Sequence, residues 1–357
     1  MKVAFRVDAS REIGTGHIYR CLSLAAALHA RGAETLFLTR PLGVASADLI
    51  RANGVEVIEL AAGRAGSVDD PGIPHAAWAG AAVEEDALET IRLLEDRGVD
   101  WMVVDGYVFD GRWHRAVREG LGCRVAAIDD MADRAFAPDL LIDHNHAPDH
   151  RAKYAGRLPE RTPLLGGPGY ALLRPAFASG SRHEVQEQVR SVGIFMGGVD
   201  RPNLSVTALE ALDRAGFGGE VEVVATAANP NLEALSAAVA ARPNTRLILD
   251  LPDLAAFFAR HDLQIGAAGG SSWERCCIGA PTLLLITALN QMAVAPDLAA
   301  QGVAATPDPM DSLDVEAVAC ALKSLIADPD RRRSLAEKSR ALVDGRGAER
   351  VAEEMLK

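Results

Sequence analysis

The stretch from Val3 to Arg31 constrains the fold more than any other. An apolar run, Val3-Ala4-Phe5-Arg6-Val7, passes through Asp8 into Gly14-Thr15-Gly16-His17, and beyond it Ile18, Leu22, Leu24, Ala25 and Leu28 recur at helical spacing. Strand, glycine turn and amphipathic helix in that order are the opening of a parallel α/β unit. Backbone N–H groups and the positive end of the helix dipole gather at such a turn, which suits an anion. His17 stands at the helix start, where an imidazole can take or give a proton near neutral pH. A dinucleotide fingerprint would need a third glycine where Tyr19 stands, and residues 35–40 end without the acid that would bind a ribose. NAD or FAD is therefore not expected. A plain tight turn with His17 as an ordinary helix residue stays open on this motif alone.

The same alternation runs through the chain. Strand-like runs fall at 3–7, 35–39, 55–60, 101–105, 124–128 and 140–142, with helical patterns at 18–31, 47–53, 83–97 and 112–119. The Gly- and Pro-containing stretch 61–80 reads as a mobile loop that can act as a lid. Small and polar residues interrupt the rhythm at 177–190, and a second series follows at 191–196, 220–225, 246–249, 263–267 and 282–286, ending in a helical tail from 311. The expectation is an α/β protein of two doubly wound, Rossmann-like domains facing across a cleft: residues 1–177, a linker at 178–190, and 191–357, with ligand at the strand C-terminal ends. A chain of 357 residues is long for one core, which agrees with two.

Lys and Arg number 37 against 49 Asp and Glu, a formal charge of −12, which argues against a general nucleic-acid or membrane-surface binder. Cys21, Cys123, Cys276, Cys277 and Cys320 contain no C-x-x-C pair and are odd in number, so neither a disulfide framework nor a zinc knuckle is expected. Cys276 and Cys277 read as small core residues on a helix. The start of the chain is unlike a signal peptide and the longest apolar run, near 281–289, is too short to span a bilayer, so the expected location is cytoplasmic.

Several segments lie where such a fold places ligands. Gly197 and Gly198 follow the strand at 191–196 and allow close backbone approach to an anion, or simply a turn. Gly269-Gly270-Ser271-Ser272 opens a helix in a way that suits a diphosphate, with Glu274 in the first turn to receive ribose hydroxyls. Ser271 followed three residues later by Glu274 is equally a capping box. Asn290 and Gln291 offer neutral amides to sugar hydroxyls or acetamido groups, or cap a helix. Asp105-Gly106-Tyr107 and Asp129-Asp130 end strands of the first domain. Asp143-His144-Asn145-His146 with His150 has metal-ligating residue types, but its irregular spacing favours no metal site.

Arg6, Asp8, Ser10, Ile13, Gly14, Gly16, His17 and Arg20 form R-x-D-x-S-x-x-I-G-x-G-H-x-x-R. This resembles the N-terminus of the UDP-2,4-diacetamido-2,4,6-trideoxy-β-L-altropyranose hydrolases of pseudaminic acid biosynthesis. The similarity extends through Asp105-Gly106-Tyr107, Asp129-Asp130, Asn145 and Gly169-Tyr170-Ala171-Leu172-Leu173-Arg174. It continues at Met196-Gly197-Gly198, Asn229-Pro230-Asn231, Ser271-Ser272 with Glu274, and Asn290-Gln291, so it covers most of the chain. Trp273 is bulky for its position, and a fused acetyltransferase domain is not expected. The resemblance implies a GT-B-like fold, similar to that of the N-acetylglucosaminyltransferase acting on the lipid-linked cell-wall precursor. It also implies a metal-independent, inverting hydrolysis of a UDP-sugar to UDP and the free diacetamido sugar, a precursor of the nonulosonic acid on flagellin or surface polysaccharide.

On that expectation His17 takes a proton from water, with Asp8 or Asp130 orienting the imidazole or the sugar and Tyr107 beside them. Gly14, Gly16, Arg20, Asn145, Gly197, Gly198, Asn229, Gly269, Gly270, Ser271, Ser272, Glu274, Asn290 and Gln291 hold the substrate. No cofactor is expected, and the partner is a UDP-linked diacetamido-trideoxy sugar rather than nucleic acid or membrane, bound by a monomer or weak dimer. A GT-B glycosyltransferase and a non-catalytic sugar-nucleotide binder are the competing readings.

Overall fold

The structure is a computed structural model that describes residues 1–63, 66, 68–180, 182–286, 291–292 and 294–357. It falls into two compact units, one of Met1–Arg174 with Arg346–Lys357, the other of Pro175–Gly345.

The first unit is built on seven strands: β1 (Lys2–Val7), β2 (Glu34–Thr39), β3 (Glu56–Glu59), β4 (Trp101–Asp105), β5 (Arg124–Ile128), β6 (Leu140–Asp143) and β7 (Leu164–Gly166). Their spatial order is β3-β2-β1-β4-β5-β6-β7, parallel throughout. The winding reverses between β1 and β4, so the loops leaving these two strands diverge and open a crevice at their C-terminal ends. Apolar cores lie on both faces: Met102, Val104, Trp113 and Val117 pack on one, Phe5, Ile18, Leu24 and Val103 on the other. Burial on both faces explains why these strands read as continuous apolar runs.

The final helix, Gly347–Met355, joins the second of these cores. Val351, Ala352 and Met355 are fully buried there, and the Trp101 indole N–H donates to the Met355 carbonyl at 2.9 Å. This corrects the expected allotment of the whole tail to the second domain, and the first boundary falls at Arg174/Pro175. A one-turn-per-stripe apolar pattern shows that a helix is amphipathic but not which sheet it covers.

The second unit carries β8 (Ser191–Phe195), β9 (Glu220–Ala225), β10 (Thr245–Leu249), β11 (Leu263–Ala267) and β12 (Thr282–Leu285) in the order β10-β9-β8-β11-β12, again all parallel. Its reversal lies between β8 and β11. The strand positions agree with the sequence pattern apart from β7, a three-residue edge strand too short to show a period. Within the stretch 61–80, Ile73, Ala76 and Ala79 are buried, and Ala76–Trp78 forms a 3-10 turn.

Candidate active site

Val7 and Asp105 are paired in register at the C-terminal ends of β1 and β4, so the crevice of the first sheet opens beside the last residue of β4. The chain after β1 is shaped by Ser10, whose hydroxyl accepts from the N–H groups of Glu12 and Ile13, while the Gly14 N–H donates to the Ser10 carbonyl. Gly14 turns at φ 76°, a conformation that a side chain disfavours. The helix Gly16–His29 then starts without a side-chain cap and sets His17 in its first turn.

His17 is 7% exposed, and its Nδ1 lies 2.6 Å from Asp105 Oδ1. A carboxylate can only accept, so Nδ1 carries a proton, and in the neutral imidazole the lone pair is then on Nε2. No hydrogen bond to Nε2 is formed among the described residues. Asp105 is itself held on both oxygens. The Arg20 Nε donates to Oδ2 at 2.6 Å, its Nη2 to Oδ1 at 2.5 Å, and the Cys21 thiol approaches Oδ2 at 3.5 Å. Burial opposes ionisation of Asp105, but Arg20 and His17 outweigh it and hold the carboxyl well below the usual range. The guanidinium also lies 3.0 Å from His17 Nδ1, a nitrogen whose proton is directed at Asp105; its bonds are therefore to the carboxylate.

The rest of the crevice is supplied by the segments that follow β3, β4, β5 and β6. The Tyr107 ring stands edge-on to His17 at 4.9 Å between centroids, and His75 and Trp78 lie 5.7 and 6.2 Å from Tyr107. Burial and the Asp130 carboxylate push the Tyr107 phenol well up, so it stays protonated. The Asn145 amide donates to Asp130 Oδ2 at 2.8 Å, and Arg20 Nη1 lies 3.8 Å from the same oxygen. Arg20 Nη1 also donates to His144 Nε2 at 3.3 Å. Burial, reinforced by Arg20, pushes His144 down to about 4, so it is neutral at physiological pH.

His17, Arg20, Tyr107, Asp130 and Asn145 are thus brought together. Asp105, which sequence reasoning noted at a strand end without assigning it a role, is the carboxylate that orients the imidazole. Asp8 is not. It accepts from both terminal nitrogens of the Arg6 guanidinium and from the Arg40 backbone N–H at 2.6 Å, and Arg6 reaches on to Asp86 at 2.7 Å. Asp8 and Arg6 are on the same strand face at i and i+2, which pairs them before any other partner is needed. Asp129 is likewise structural, receiving the N–H groups of Met131 and Ala132 and the Tyr154 hydroxyl. Among the described residues no group of three or more His, Cys, Asp or Glu is arranged to hold a metal ion. Asp143 pairs with Lys153 at 2.7 Å, and the His150 Nε2 lies 2.9 Å from the Asn145 carbonyl.

In the second unit the proposed ligand segments all leave strand C-terminal ends. Gly197 turns at φ 90° after β8, and the Thr226 hydroxyl after β9 donates to the Gly198 carbonyl at 2.5 Å. Asn229 shapes its own turn, its Oδ1 accepting from the Asn231 N–H at 2.9 Å. After β11 the helix Ser271–Ile278 begins with Gly270 at the cap position and no side-chain cap. Ser271 is therefore inside the helix and not its cap, so the first N–H groups are left without a capping side chain. A Cβ on Gly269 would come within 3.5 Å of the Gln291 amide nitrogen, which places Gln291 against the glycine turn. Glu274 lies in the first turn of that helix. Asn290 falls outside the described residues.

The two-unit architecture is the GT-B fold. The structure of MurG from Acinetobacter baumannii aligns over 99% of both chains with a TM-score of 0.68 at 17% identity, and Phytolacca americana UGT2 covers 99% of this chain and 98% of its own with a TM-score of 0.69 at 12% identity. No family model matches the chain. In sequence it is similar to the UDP-2,4-diacetamido-2,4,6-trideoxy-β-L-altropyranose hydrolase of Campylobacter jejuni, 26% identical over 85% of this chain and 97% of that protein. It is also similar to the spore coat polysaccharide biosynthesis protein SpsG of Bacillus subtilis, 30% identical over 53% of this chain and 57% of that protein, a little over half of its length. No described helix is long and apolar enough to cross a membrane.

Proposed function

We propose that this chain is an enzyme acting on a UDP-linked sugar, and that it hydrolyses the bond between the anomeric carbon and the diphosphate, releasing UDP and the free sugar. The preferred substrate is UDP-2,4-diacetamido-2,4,6-trideoxy-β-L-altropyranose, on the strength of the similarity to the Campylobacter jejuni hydrolase over most of both chains. The observation that carries the reaction type is the His17–Asp105 pair, which leaves Nε2 open in a crevice at a topological switch point.

In this reading Nε2 takes a proton from water as the oxygen attacks the anomeric carbon on the face opposite the diphosphate, with inversion. Asp105 holds the tautomer and stabilises the imidazolium that forms, a general-base role worth about 10²- to 10⁴-fold. Asp130, with one oxygen bound to Asn145, and the protonated Tyr107 meet the sugar's polar groups. Gly14, Gly16 and Arg20 shape the surroundings of His17. The second unit takes the nucleotide: Gly197 and Gly198 with the uncapped helix start at Gly269, Gly270, Ser271 and Ser272 receive the diphosphate, Glu274 the ribose, and Asn229 and Gln291 flank them. UDP leaves as a stable anion, so no dedicated general acid is required.

The test is incubation with UDP-sugars in the absence of any acceptor, following UDP and free sugar. Release of both supports hydrolysis. Turnover only with an added acceptor hydroxyl would make the chain a glycosyltransferase, and tight binding without turnover a sugar-nucleotide binder.

A further inference from the structure

Arg275 stands apart from the other buried arginines. Arg6 pairs with Asp8 and Asp86, Arg40 with Asp86 and Glu89, Arg134 with Asp129 and Asp133, and Arg242 with Asp213. Arg275 is 1% exposed and forms no ion pair with a carboxylate among the described residues. Its Nη2 donates to the carbonyl of Ala267, the last residue of β11, at 2.6 Å and to the Ser272 hydroxyl at 3.3 Å, and its Nη1 donates to the Ser271 hydroxyl at 3.1 Å. The Nε has no partner. Arg332, also buried without a carboxylate, is different in kind: it clamps four main-chain carbonyls, of Leu325, Ile326, Gln186 and Glu187, and so joins segments of chain. Arg275 holds the two hydroxyls of a helix start that has no side-chain cap.

The fold makes room for it. A Cβ on Gly266 of β11 would run into the guanidinium, so the strand gives up a side chain where the arginine lies. A buried cation that no carboxylate pairs with directly is unfavourable, and its retention beneath the glycine turn that opens this helix is explained if an anion completes the site. The hydroxyls divide the work. Ser272 accepts from Arg275 and donates to the Ala267 carbonyl at 3.3 Å, so both its roles are filled. Ser271 accepts from Arg275 and stands half-buried at the first helical position, where its own proton has no acceptor among the described residues.

We propose that Arg275 is the buried counter-ion of the diphosphate and acts through Ser271 as a positioning residue: it fixes the Ser271 oxygen as acceptor so that the hydroxyl hydrogen is presented to a phosphate oxygen. This rests on the assignment of the nucleotide to the second unit, which it deepens. Ser271 is then a phosphate donor and Ser272 a structural hydroxyl.

The experiment titrates wild type, Arg275→Met, Arg275→Lys and Ser271→Ala with UDP, uridine and inorganic pyrophosphate by calorimetry, and follows thermal unfolding without ligand. Expected are a loss of about tenfold or more in UDP and pyrophosphate affinity in Arg275→Met and in Ser271→Ala, uridine affinity unchanged, partial recovery in Arg275→Lys, and unliganded Arg275→Met no less stable than wild type. Equal losses for UDP and uridine, or unchanged UDP affinity in both variants, would overturn the proposal. If Arg275→Met does not fold, Ser271→Ala decides between the same outcomes. Wild type that binds pyrophosphate but not UDP, with the variants losing pyrophosphate, leaves the counter-ion role standing while the UDP-sugar reading fails; wild type that binds neither ends both.

Discussion

Asp105 accepts from His17 Nδ1–H and from two nitrogens of Arg20 at the same time, so one buried carboxylate fixes the geometry of both side chains on a single helix face. Arg20 lies one turn along from His17, and the i, i+3 spacing lets both reach the end of β4.

That relationship predicts separable losses. His17→Asn removes the base and lowers turnover by about 10²- to 10⁴-fold. Asp105→Asn keeps the shape but permits the wrong tautomer, with an amide N–H facing Nδ1, and lowers kcat within the same range. UDP affinity stays near wild type in both. Steady-state UDP release together with calorimetric UDP binding measures the split; a wild-type kcat in Asp105→Asn would remove Asp105 from the mechanism.

Stability falls on mild acidification. Burial pushes His144 down to about 4 and His114 to about 3, whereas an unfolded imidazole titrates near 6.5. Between those values the unfolded chain binds protons that the folded chain refuses, so stability is full above pH 7 and declines as pH drops through 6.5 towards 4. At pH 5 each histidine contributes a loss of about 2 kcal/mol. Urea unfolding at pH 7.5 and 5 tests this. His114→Asn, whose amide oxygen can replace Nδ1 as acceptor from the Ala137 N–H, should reduce the difference by about 2 kcal/mol.

Asp8→Ala acts on folding. Arg6 loses one of two buried carboxylates, and a decline of roughly 3 kcal/mol is expected, the lower end for a broken buried pair because Asp86 remains. Turnover per folded molecule should stay near wild type, unlike that of Asp105→Asn. A kcat collapse with unchanged melting temperature would return Asp8 to the chemistry.

Removal of residues 346–357 strips Val351, Ala352 and Met355 from the first unit's core and the Met355 carbonyl from Trp101. Burial of the valine and methionine side chains alone is worth about 3–6 kcal/mol. A fall in melting temperature with exposure of Trp101 fluorescence is expected; equal stability of the shortened chain would show that helix to be dispensable.

Much of this was legible from residues alone. Buried parallel strands leave long apolar runs, and the glycine turn before His17 marks where the first crevice opens, so the doubly wound sheets and the place of the imidazole follow from pattern. Pairings across the sheet do not. Asp8 and Asp105 both end strands, and only the β1–β4 register with Arg6 two residues before Asp8 decides which carboxylate turns to His17. Arg275 was missed for a similar reason: an arginine inside a helix of mixed residues has no periodic signal, and its burial depends on a glycine on a neighbouring strand. The Ser271–Glu274 spacing matched a cap, but the helix starts one residue earlier than a cap would require.

The return of the last helix to the first sheet has a bearing on how the chain is made. The second unit is contiguous from Pro175 to Gly345, so all of it can collapse while synthesis continues. The first unit, begun earliest, stays short of Val351, Ala352 and Met355 until the ribosome has passed the whole of its neighbour. The unit bearing His17 is thereby closed last, and its apolar surface around Trp101 and Ile18 awaits cover for the longest time.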